Sequence, residues 1–343
     1  MNNSLQKILF LAVMVAAILF SRMIYSSGTP TSLAEIAAVS SGSAQNDHAP
    51  LFVMPQVSVS AQNGAGSEES ADTATGMHAA SGTDASANAP TPSATGVATQ
   101  PVSAPVLNVA ASLVANLTTG ATYASANADR RWPTASLAKL MSATIVADKL
   151  APSTRITITD GMFAADPSEQ TLVAGGTYTV SDLLYLMLLP SSNVAAEAAA
   201  TFYGRDAFVA EMNARAAAWG MASTHFDDPS GISAGDQSTA NDFLKLAQKV
   251  YIDYPQLFAI TRTPQHTITE ENIGTKFVIK SINNFSGEAD FVGGKTGHTD
   301  QAGGNLLSVF RNGSRIICVV VLGSDDRFGD TQKLYNWYKT NAK

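Results

Sequence analysis

Residues 130–152 read RRWPTASLAKLMSATIVADKLAP, and this segment decides the fold around it. Its apolar side chains recur at helical spacing before Pro152 ends the pattern, at Leu137, Leu140, Met141, Ile145 and Leu150. Ser136 and Lys139 stand three positions apart at the start of this helix, where such side chains lie on one face about 5–6 Å apart. The segment therefore predicts a helix that presents a hydroxyl and an amine together at its N-terminal end.

The sequence outside this helix predicts strands at both ends of a folded region and helices between them. The pattern predicts a hairpin over 106–133 about the turn 118–120. Helices are predicted at 182–204 with a break at Pro190, at 208–220, and at 238–252 with Ser238 or Thr239 as cap. After Pro255 the pattern becomes strand-like, with a hairpin over 303–323 about Asn312-Gly313 and a closing helix at 331–339. The expected fold is α/β in the broad sense, of the α+β type. It consists of an antiparallel sheet that pairs the two ends of the domain, flanked by helices, with a mostly helical subdomain.

The first part of the chain differs in texture from the rest. Lys7 precedes an apolar run from Ile8 to Phe20, and residues 1–25 are therefore expected to be a signal anchor or a signal peptide. Residues 26–105 are rich in Ser, Ala, Gly, Thr and Pro, which cannot bury enough apolar area to offset ordering entropy, so a disordered linker is expected. The folded domain is then expected over 106–343.

Composition excludes several classes of protein. The formal net charge is -7 and no basic stripe is present, which argues against a nucleic-acid partner. Cys318 is the only cysteine and lies in the apolar run IICVVVLG, so neither a disulfide framework nor a cysteine-rich metal site can form. We expect a buried, unreactive thiol there and no metal ion in the protein.

Two further motifs accompany the Ser-Lys pair. Ser191-Ser192-Asn193 follows the Pro190 break, where side chains can turn out of a helix end into a cleft, and Lys295-Thr296-Gly297 lies among glycines that allow a ligand to approach a strand closely. The Ser-x-x-Lys and Ser-x-Asn patterns both recur elsewhere in the chain, whereas Lys-Thr-Gly occurs once. Each of the first two is therefore weak evidence when taken alone.

In this order along the chain the three motifs resemble the signature of penicillin-binding proteins and serine β-lactamases. The flanking blocks DLLYLMLLPSSNVAAEAAA, FDDPSGI, GGKTGHTDQAGGNLL and VVVLGSDDRFGDTQKLYNW are similar to those of the low-molecular-weight D-alanyl-D-alanine carboxypeptidases and endopeptidases. The resemblance covers nearly all of residues 106–343. It implies a β-lactamase/transpeptidase-like fold, a serine peptidase activity on D-Ala-D-Ala peptides of peptidoglycan, covalent inhibition by β-lactam antibiotics, and no cofactor.

The resemblance also implies roles for the residues that carry acyl transfer. Ser136 would attack the carbonyl between two D-alanines, with Lys139 as the base. Lys139 must be neutral to accept a proton, and both burial and a nearby cation would lower its pKa in that direction. Ser191 would relay the proton to the leaving amine, and Asn193 would hold Lys139 and the substrate amide.

The Lys-Thr-Gly motif would bind the substrate. Lys295 is expected to stay charged and to face the terminal carboxylate, with Thr296 donating a hydrogen bond to the same group. Gly297 completes the motif, and the backbone N–H groups of His298 and Ser136 would form the oxyanion hole. The His298 side chain is expected to line the cleft rather than to act as a base.

Several points stay open from the sequence. Val194 replaces the acidic residue expected after Asn193, which puts a supporting role for that carboxylate in doubt. Carboxypeptidase and endopeptidase activity are not separated, although a chain that ends soon after the closing helix resembles the endopeptidase branch more. A β-lactamase, for which no Glu-x-x-x-Asn motif is found, and a non-catalytic wall-binding module are the alternatives. The protein is expected outside the cytoplasm, held to the inner membrane only by its N-terminal segment or secreted after cleavage.

Overall fold

The computed structural model describes residues 103–341, and the expectations for residues 1–25 and for most of 26–105 fall outside this range. Its strands are β1 Ala111–Asn116, β2 Thr122–Ala126, β3 Trp132–Pro133, β4 Arg155–Thr157, β5 Thr177–Thr179, β6 Gln237–Ser238, β7 Gln265–Thr269, β8 Lys276–Lys280, β9 Phe291–Thr299, β10 Gly303–Asn312 and β11 Arg315–Ser324. Its α-helices are α1 Ala138–Lys149, α2 Val180–Leu188, α3 Asn193–Tyr203, α4 Arg205–Ala218, α5 Ala240–Asp253, α6 Pro255–Thr261 and α7 Arg327–Asn341.

The main sheet is antiparallel and has five strands in the order β2-β1-β11-β10-β9. β1 pairs with β11 from Ala111 opposite Leu322 to Asn116 opposite Ile317, so the first and last strands of the domain lie side by side as expected. The β10–β11 hairpin turns at Gly313 and Ser314, one residue later than the sequence indicated, between the paired Asn312 and Arg315. Gly313 has φ 60, a conformation that favours glycine in two-residue hairpin turns.

Strand β11 is buried on both faces of the sheet, which explains its unbroken apolar run. Alternate residues of a strand point to opposite faces. Cys318 and Val320 therefore pack with the helical core, whereas Val319 and Val321 pack on the side of α7, where Tyr335 also lies. Cys318 is buried as expected, and this burial raises the pKa of its thiol to about 12.

The helical subdomain agrees with the sequence pattern except in one place. Thr239 caps α5 by accepting a hydrogen bond from the Asp242 backbone N–H, as predicted. The strand-like segments expected after Pro255 are present as β7, β8 and β9, but the sequence did not indicate α6, which begins at Pro255, where the fixed φ of proline is favourable. None of the helices within residues 103–341 has both the length and the apolar character needed to cross a membrane.

The position of α6 depends on a glycine next to the Lys-Thr-Gly motif. A Cβ on Gly293 would lie 2.6 Å from the Phe258 Cβ, closer than any two such atoms can pack. Gly293 therefore allows α6 to lie directly against β9, the edge strand of the sheet. This contact fixes the strand on which the motif stands.

Candidate active site

Ser136 lies in a 3-10 turn, Ala135–Leu137, that leads directly into α1. The preceding Ala135 has φ 45, a left-handed conformation that is unfavourable for alanine. Two glycines allow the chain to close around this turn: a Cβ on Gly231 would lie 1.9 Å from the Ala135 carbonyl oxygen, and one on Gly297 would lie 3.1 Å from the Ser136 nitrogen. The nucleophile candidate is therefore held between the loop at Gly231 and strand β9.

Lys139 is fully buried one helical turn after Ser136, and its Nζ lies 2.8 Å from the Ser136 Oγ. Its two other neighbours are the Asn193 Oδ1 at 2.5 Å and the Ser230 carbonyl oxygen at 3.0 Å, and both can only accept hydrogen bonds. A neutral amine has two protons to donate and one lone pair. In this neutral form the two carbonyl oxygens take both protons and the lone pair is left for the Ser136 hydroxyl, whereas the charged amine donates its third proton to the Ser136 Oγ.

Burial lowers the pKa of Lys139 to about 7, and the negative charges of Asp228, Asp166 and Asp236 only partly oppose this. A lowered pKa was expected from the sequence, with burial and a nearby cation as causes. The cation near Lys139 is Lys295. Instead the interaction between the two lysines lowers the pKa of Lys295, whereas that of Lys139 follows from its own burial.

The loop behind Lys139 is organised by Asp228. Its carboxylate accepts hydrogen bonds from the backbone N–H groups of Ser230 at 2.6 Å, Gly231 at 2.8 Å and Ser233 at 2.6 Å. Burial alone would raise the pKa of Asp228, but these hydrogen bonds outweigh it and the pKa is lowered. A charged Asp228 thus fixes the turn whose Ser230 carbonyl contacts Lys139.

Asp236 lies deeper in the same loop and has a different protonation. Its Oδ1 accepts from the backbone N–H groups of Asp227 at 2.5 Å and Asp228 at 3.2 Å, while its buried Oδ2 has no hydrogen-bond partner within residues 103–341. Burial, and then the charge of Asp228, raises the pKa of Asp236 to about 8. At neutral pH this carboxyl group is therefore mostly protonated.

A second serine–lysine pair lies across the cleft. The Nζ of the buried Lys295 donates to the Ser191 Oγ at 2.8 Å and to the Thr296 carbonyl oxygen at 2.8 Å. Ser191 has φ 68, and α3 begins two residues later at Asn193. Burial lowers the pKa of Lys295 well below its usual range, and the positive charges of Lys139 and Arg327 lower it further.

The two pairs flank a cleft of about 190 Å³. Six of the eight residues expected at the site line it, namely Ser136, Ser191, Asn193, Thr296, Gly297 and His298. The other two, Lys139 and Lys295, lie buried behind it and reach it through the hydrogen bonds given above. Val194, the departure from the expected motif, is fully buried in the helical core, so a carboxylate at this position would be desolvated.

Arg327 also lines the cleft, and the sequence argument had not assigned it a role. Its Nη1 donates to the Gly297 carbonyl oxygen at 2.8 Å. Arg327 is the first residue of α7, shortly after the end of β11. Its side chain passes over β10 at Gly304, where a Cβ on the glycine would lie 3.3 Å from the Arg327 Cβ. The sequence block SDDRFGD contains this arginine and could have indicated a charged site residue. Only the fold shows which of its charged side chains lies in the cleft with Ser136.

The sequence is similar to known proteins over most of the described residues. A family model described as D-alanyl-D-alanine carboxypeptidase matches residues 98–326. The chain is 31% identical to a D-alanyl-D-alanine endopeptidase of Pseudomonas aeruginosa, with 66% of this chain and 76% of that protein covered. It is 30% identical to the D-alanyl-D-alanine carboxypeptidase DacC of Escherichia coli, covering 70% of this chain and 63% of that longer protein.

Solved structures match over the same region. A D-alanyl-D-alanine carboxypeptidase of Mycobacterium tuberculosis superposes with a TM-score of 0.64 at 27% identity, covering 69% of this chain and 92% of that chain. The DD-transpeptidase of Streptomyces K15 gives a TM-score of 0.64 at 28% identity, covering 69% and 98%. The fold and the two facing serine–lysine pairs thus define a serine enzyme of the penicillin-binding type. The chain belongs to the D-alanyl-D-alanine carboxypeptidase family, Peptidase_S11, and is a serine-type D-Ala-D-Ala peptidase, a hydrolase.

Proposed function

We propose that Ser136 is the nucleophile and Lys139 the base of this peptidase. The observation that carries the proposal is the environment of the Lys139 amine, whose lone pair faces Ser136 because its other two neighbours only accept. The Ser136 Oγ attacks the carbonyl carbon of the penultimate D-alanine while its proton moves to Lys139. A pKa of about 7 suits this transfer, since a base is most effective when its pKa is near the working pH.

The proton then reaches the leaving amine through Ser191 of the second pair in the proposed mechanism. Ser191 receives a hydrogen bond from Lys295 and lies in the same cleft as Ser136, so it can pass a proton to the departing nitrogen. Asn193 accepts from Lys139 through its Oδ1 and also lines the cleft, where its amide group can hold the substrate. Departure of the amine leaves an acyl-enzyme at Ser136, which water hydrolyses.

Cationic groups select a substrate with a free carboxylate. Thr296 and Arg327 line the cleft and Lys295 lies buried behind it, and a carboxylate bound among them would raise the pKa of Lys295 again by charge attraction. The expected charged state of Lys295 therefore belongs to the complex with substrate. The backbone N–H groups of Ser136 and His298 are proposed as the oxyanion hole, where one donor is worth roughly 100- to 1000-fold in rate.

The proposed substrates are peptidoglycan stem peptides, with β-lactam antibiotics as covalent inhibitors that acylate the same serine. A β-lactamase is not favoured, because the family match is to D-Ala-D-Ala peptidases. The intact pairs at Ser136 and Ser191 likewise give no reason to favour a non-catalytic wall-binding module. Because the substrate lies in the cell wall, we propose an extracytoplasmic enzyme, with residues 1–25 as anchor or signal, 26–105 as linker and 106–343 as the catalytic domain.

The test is covalent labelling of the purified full chain with a fluorescent penicillin. Wild-type protein should be labelled at Ser136, as located by mass spectrometry of the labelled peptide, and Ser136→Ala should not be labelled. Ser181→Ala, which removes a partly exposed hydroxyl at the start of α2, is the matched control and should be labelled like wild type. Labelling that persists in a folded Ser136→Ala protein would show that another residue is the nucleophile.

A further inference from the structure

Asp166 contacts the side of the Asn193 amide that faces away from Lys139. It follows a 3-10 helix, Asp160–Ala165, which packs against α3, the helix that begins at Asn193. The Asn193 Nδ2 donates to the Asp166 Oδ2 at 3.4 Å, while the Asn193 Oδ1 accepts from Lys139 at 2.5 Å. A bond of 3.4 Å is long, as hydrogen bonds in catalytic sites often are before substrate binds. Asp166 therefore stands at the end of a hydrogen-bonded line that starts at Ser136.

The Asp166 carboxylate is itself held in place. Its Oδ1 accepts from the Ser168 backbone N–H at 3.0 Å and from the Ser168 hydroxyl at 2.6 Å, which leaves Oδ2 for Asn193. The sequence raised the question of an acidic partner for Asn193 at position 194, but Val194 is buried in the helical core. The carboxylate that contacts Asn193 comes instead from a segment 27 residues earlier in the chain.

This contact selects one of the two orientations of the Asn193 amide. If the amide were turned by half a rotation, its nitrogen would face the Lys139 amine. Its oxygen would then face the Asp166 carboxylate, and an ionised carboxylate can only accept hydrogen bonds. In the observed orientation Asp166 takes one of the two amide protons, and the other is left for a substrate carbonyl in the cleft that Asn193 lines.

The charge of Asp166 also acts on Lys139. Burial lowers the pKa of Lys139 to about 7, and the negative charges of Asp228, Asp166 and Asp236 oppose this. Lys295 is the cation that interacts with Lys139 from across the cleft. Asp166 thus has two effects that substitution can separate, a hydrogen bond to Asn193 and a charge near Lys139.

We propose that Asp166 is a positioning residue for acylation, which holds the Asn193 amide with its oxygen toward Lys139. The inference rests on the proposed function of Ser136 and Lys139. In the step concerned, the Ser136 proton moves to Lys139 and the Ser136 Oγ bonds to the carbonyl carbon, while Asp166 neither gains nor loses a proton. Its effect on the reaction passes through Asn193 and through its charge.

The experiment measures the rate of penicillin acylation against pH on the purified full chain. Asp166→Asn keeps an oxygen that can accept from Asn193 but removes the charge, whereas Asp166→Ala removes both. Asp160→Asn, which changes an exposed carboxylate at the other end of the same 3-10 helix, is the matched control. The melting temperature of each variant shows whether the fold is kept.

Both substitutions of Asp166 should move the midpoint of the pH profile toward acid by about half a pH unit or more, because loss of a nearby negative charge favours the neutral amine. On the alkaline plateau Asp166→Asn should stay within about threefold of wild type. Asp166→Ala should be about tenfold slower there, because Asn193 loses its fixed orientation. Asp160→Asn should match wild type in both respects.

Two results would overturn the positioning role. One is a midpoint that stays at the wild-type pH in both Asp166 variants, and the other is a plateau for Asp166→Ala equal to that of wild type. Either result leaves the proposed function standing, since Ser136 is still acylated. Absence of labelling at Ser136 in the wild type would contradict the proposed function itself.

Discussion

Asp236→Asn should make the protein more stable at alkaline pH, and the reason lies in the protonation of this buried carboxyl group. The pKa of Asp236 is raised from 3.8 to about 8 in the folded protein, chiefly by burial. Between these pH values the folded protein holds a proton that the unfolded chain has lost. The free energy of unfolding of the wild type therefore falls as pH rises through this interval, and it levels off above about pH 8.

The size of the effect follows from the same interval. A single group changes the free energy of unfolding by at most about 1.4 kcal/mol per pH unit, so the interval of about four pH units sets an upper limit of about 6 kcal/mol. The amide of the Asp236→Asn variant cannot ionise and so removes this dependence. Its Nδ2 would occupy the position of the Oδ2 that has no partner in the described chain, at a pH-independent cost of about 1–3 kcal/mol.

The assay is urea unfolding of wild type and Asp236→Asn at pH 5, 7 and 9. The stability of the variant relative to wild type should rise steadily from pH 5 to pH 9, whatever its sign at pH 5. Asp253→Asn, which alters a half-exposed carboxylate on α5, should run parallel to wild type at all three pH values. If Asp236→Asn also ran parallel to wild type, the carboxyl group at 236 would be ionised at neutral pH and the reasoning would be wrong.

Three more predictions concern the catalytic cleft. The rate of penicillin acylation should rise with pH through a midpoint near 7, as Lys139 loses its proton, and Lys139→Ala should lower this rate by roughly 100- to 10,000-fold, measured by stopped-flow labelling. Gly231→Ala should destabilise the domain by more than about 3 kcal/mol, because its Cβ cannot fit 1.9 Å from the Ala135 carbonyl oxygen; an unchanged melting temperature would contradict this contact. Arg327→Leu should raise KM about 30-fold for a peptide with a free terminal carboxylate, because one charged hydrogen bond is worth about 2 kcal/mol. The same substitution should change KM little for the C-terminal amide of that peptide.

The sequence predicted those parts of the site that depend on local pattern. The helix after Ser136, the break at Pro190 and the pairing of the terminal strands all follow from patterns that can be read along the chain. The motifs mark eight residues, six of which line the cleft. The failures are of another kind. Helix α6 was not predicted, because it is only seven residues long and a short apolar run has no period that separates helix from strand.

The residues missed at the site act through contacts that are distant in sequence. Arg327 reaches Gly297 only because Gly304 lets it cross a strand, and no pattern near Arg327 encodes that crossing. Asp236 looks like an ordinary loop carboxylate, and its protonation follows from burial beside Asp228 in the folded loop. Such properties belong to the tertiary structure, so spacing alone could not reveal them.

Backbone strain at Ser191 is a separate indication that this serine has a role in the cleft. Among residues 103–341, three non-glycine residues have positive φ, namely Asn127 at 50, Ala135 at 45 and Ser191 at 68. Asparagine tolerates this conformation, and Asn127 lies away from the cleft. Alanine and serine do not, and each such residue costs about 1–3 kcal/mol, which persists only where the surrounding structure fixes it. Glycine at 191 would relieve that cost but would remove the hydroxyl that accepts from Lys295, so the strained serine agrees with the relay role that we propose for it.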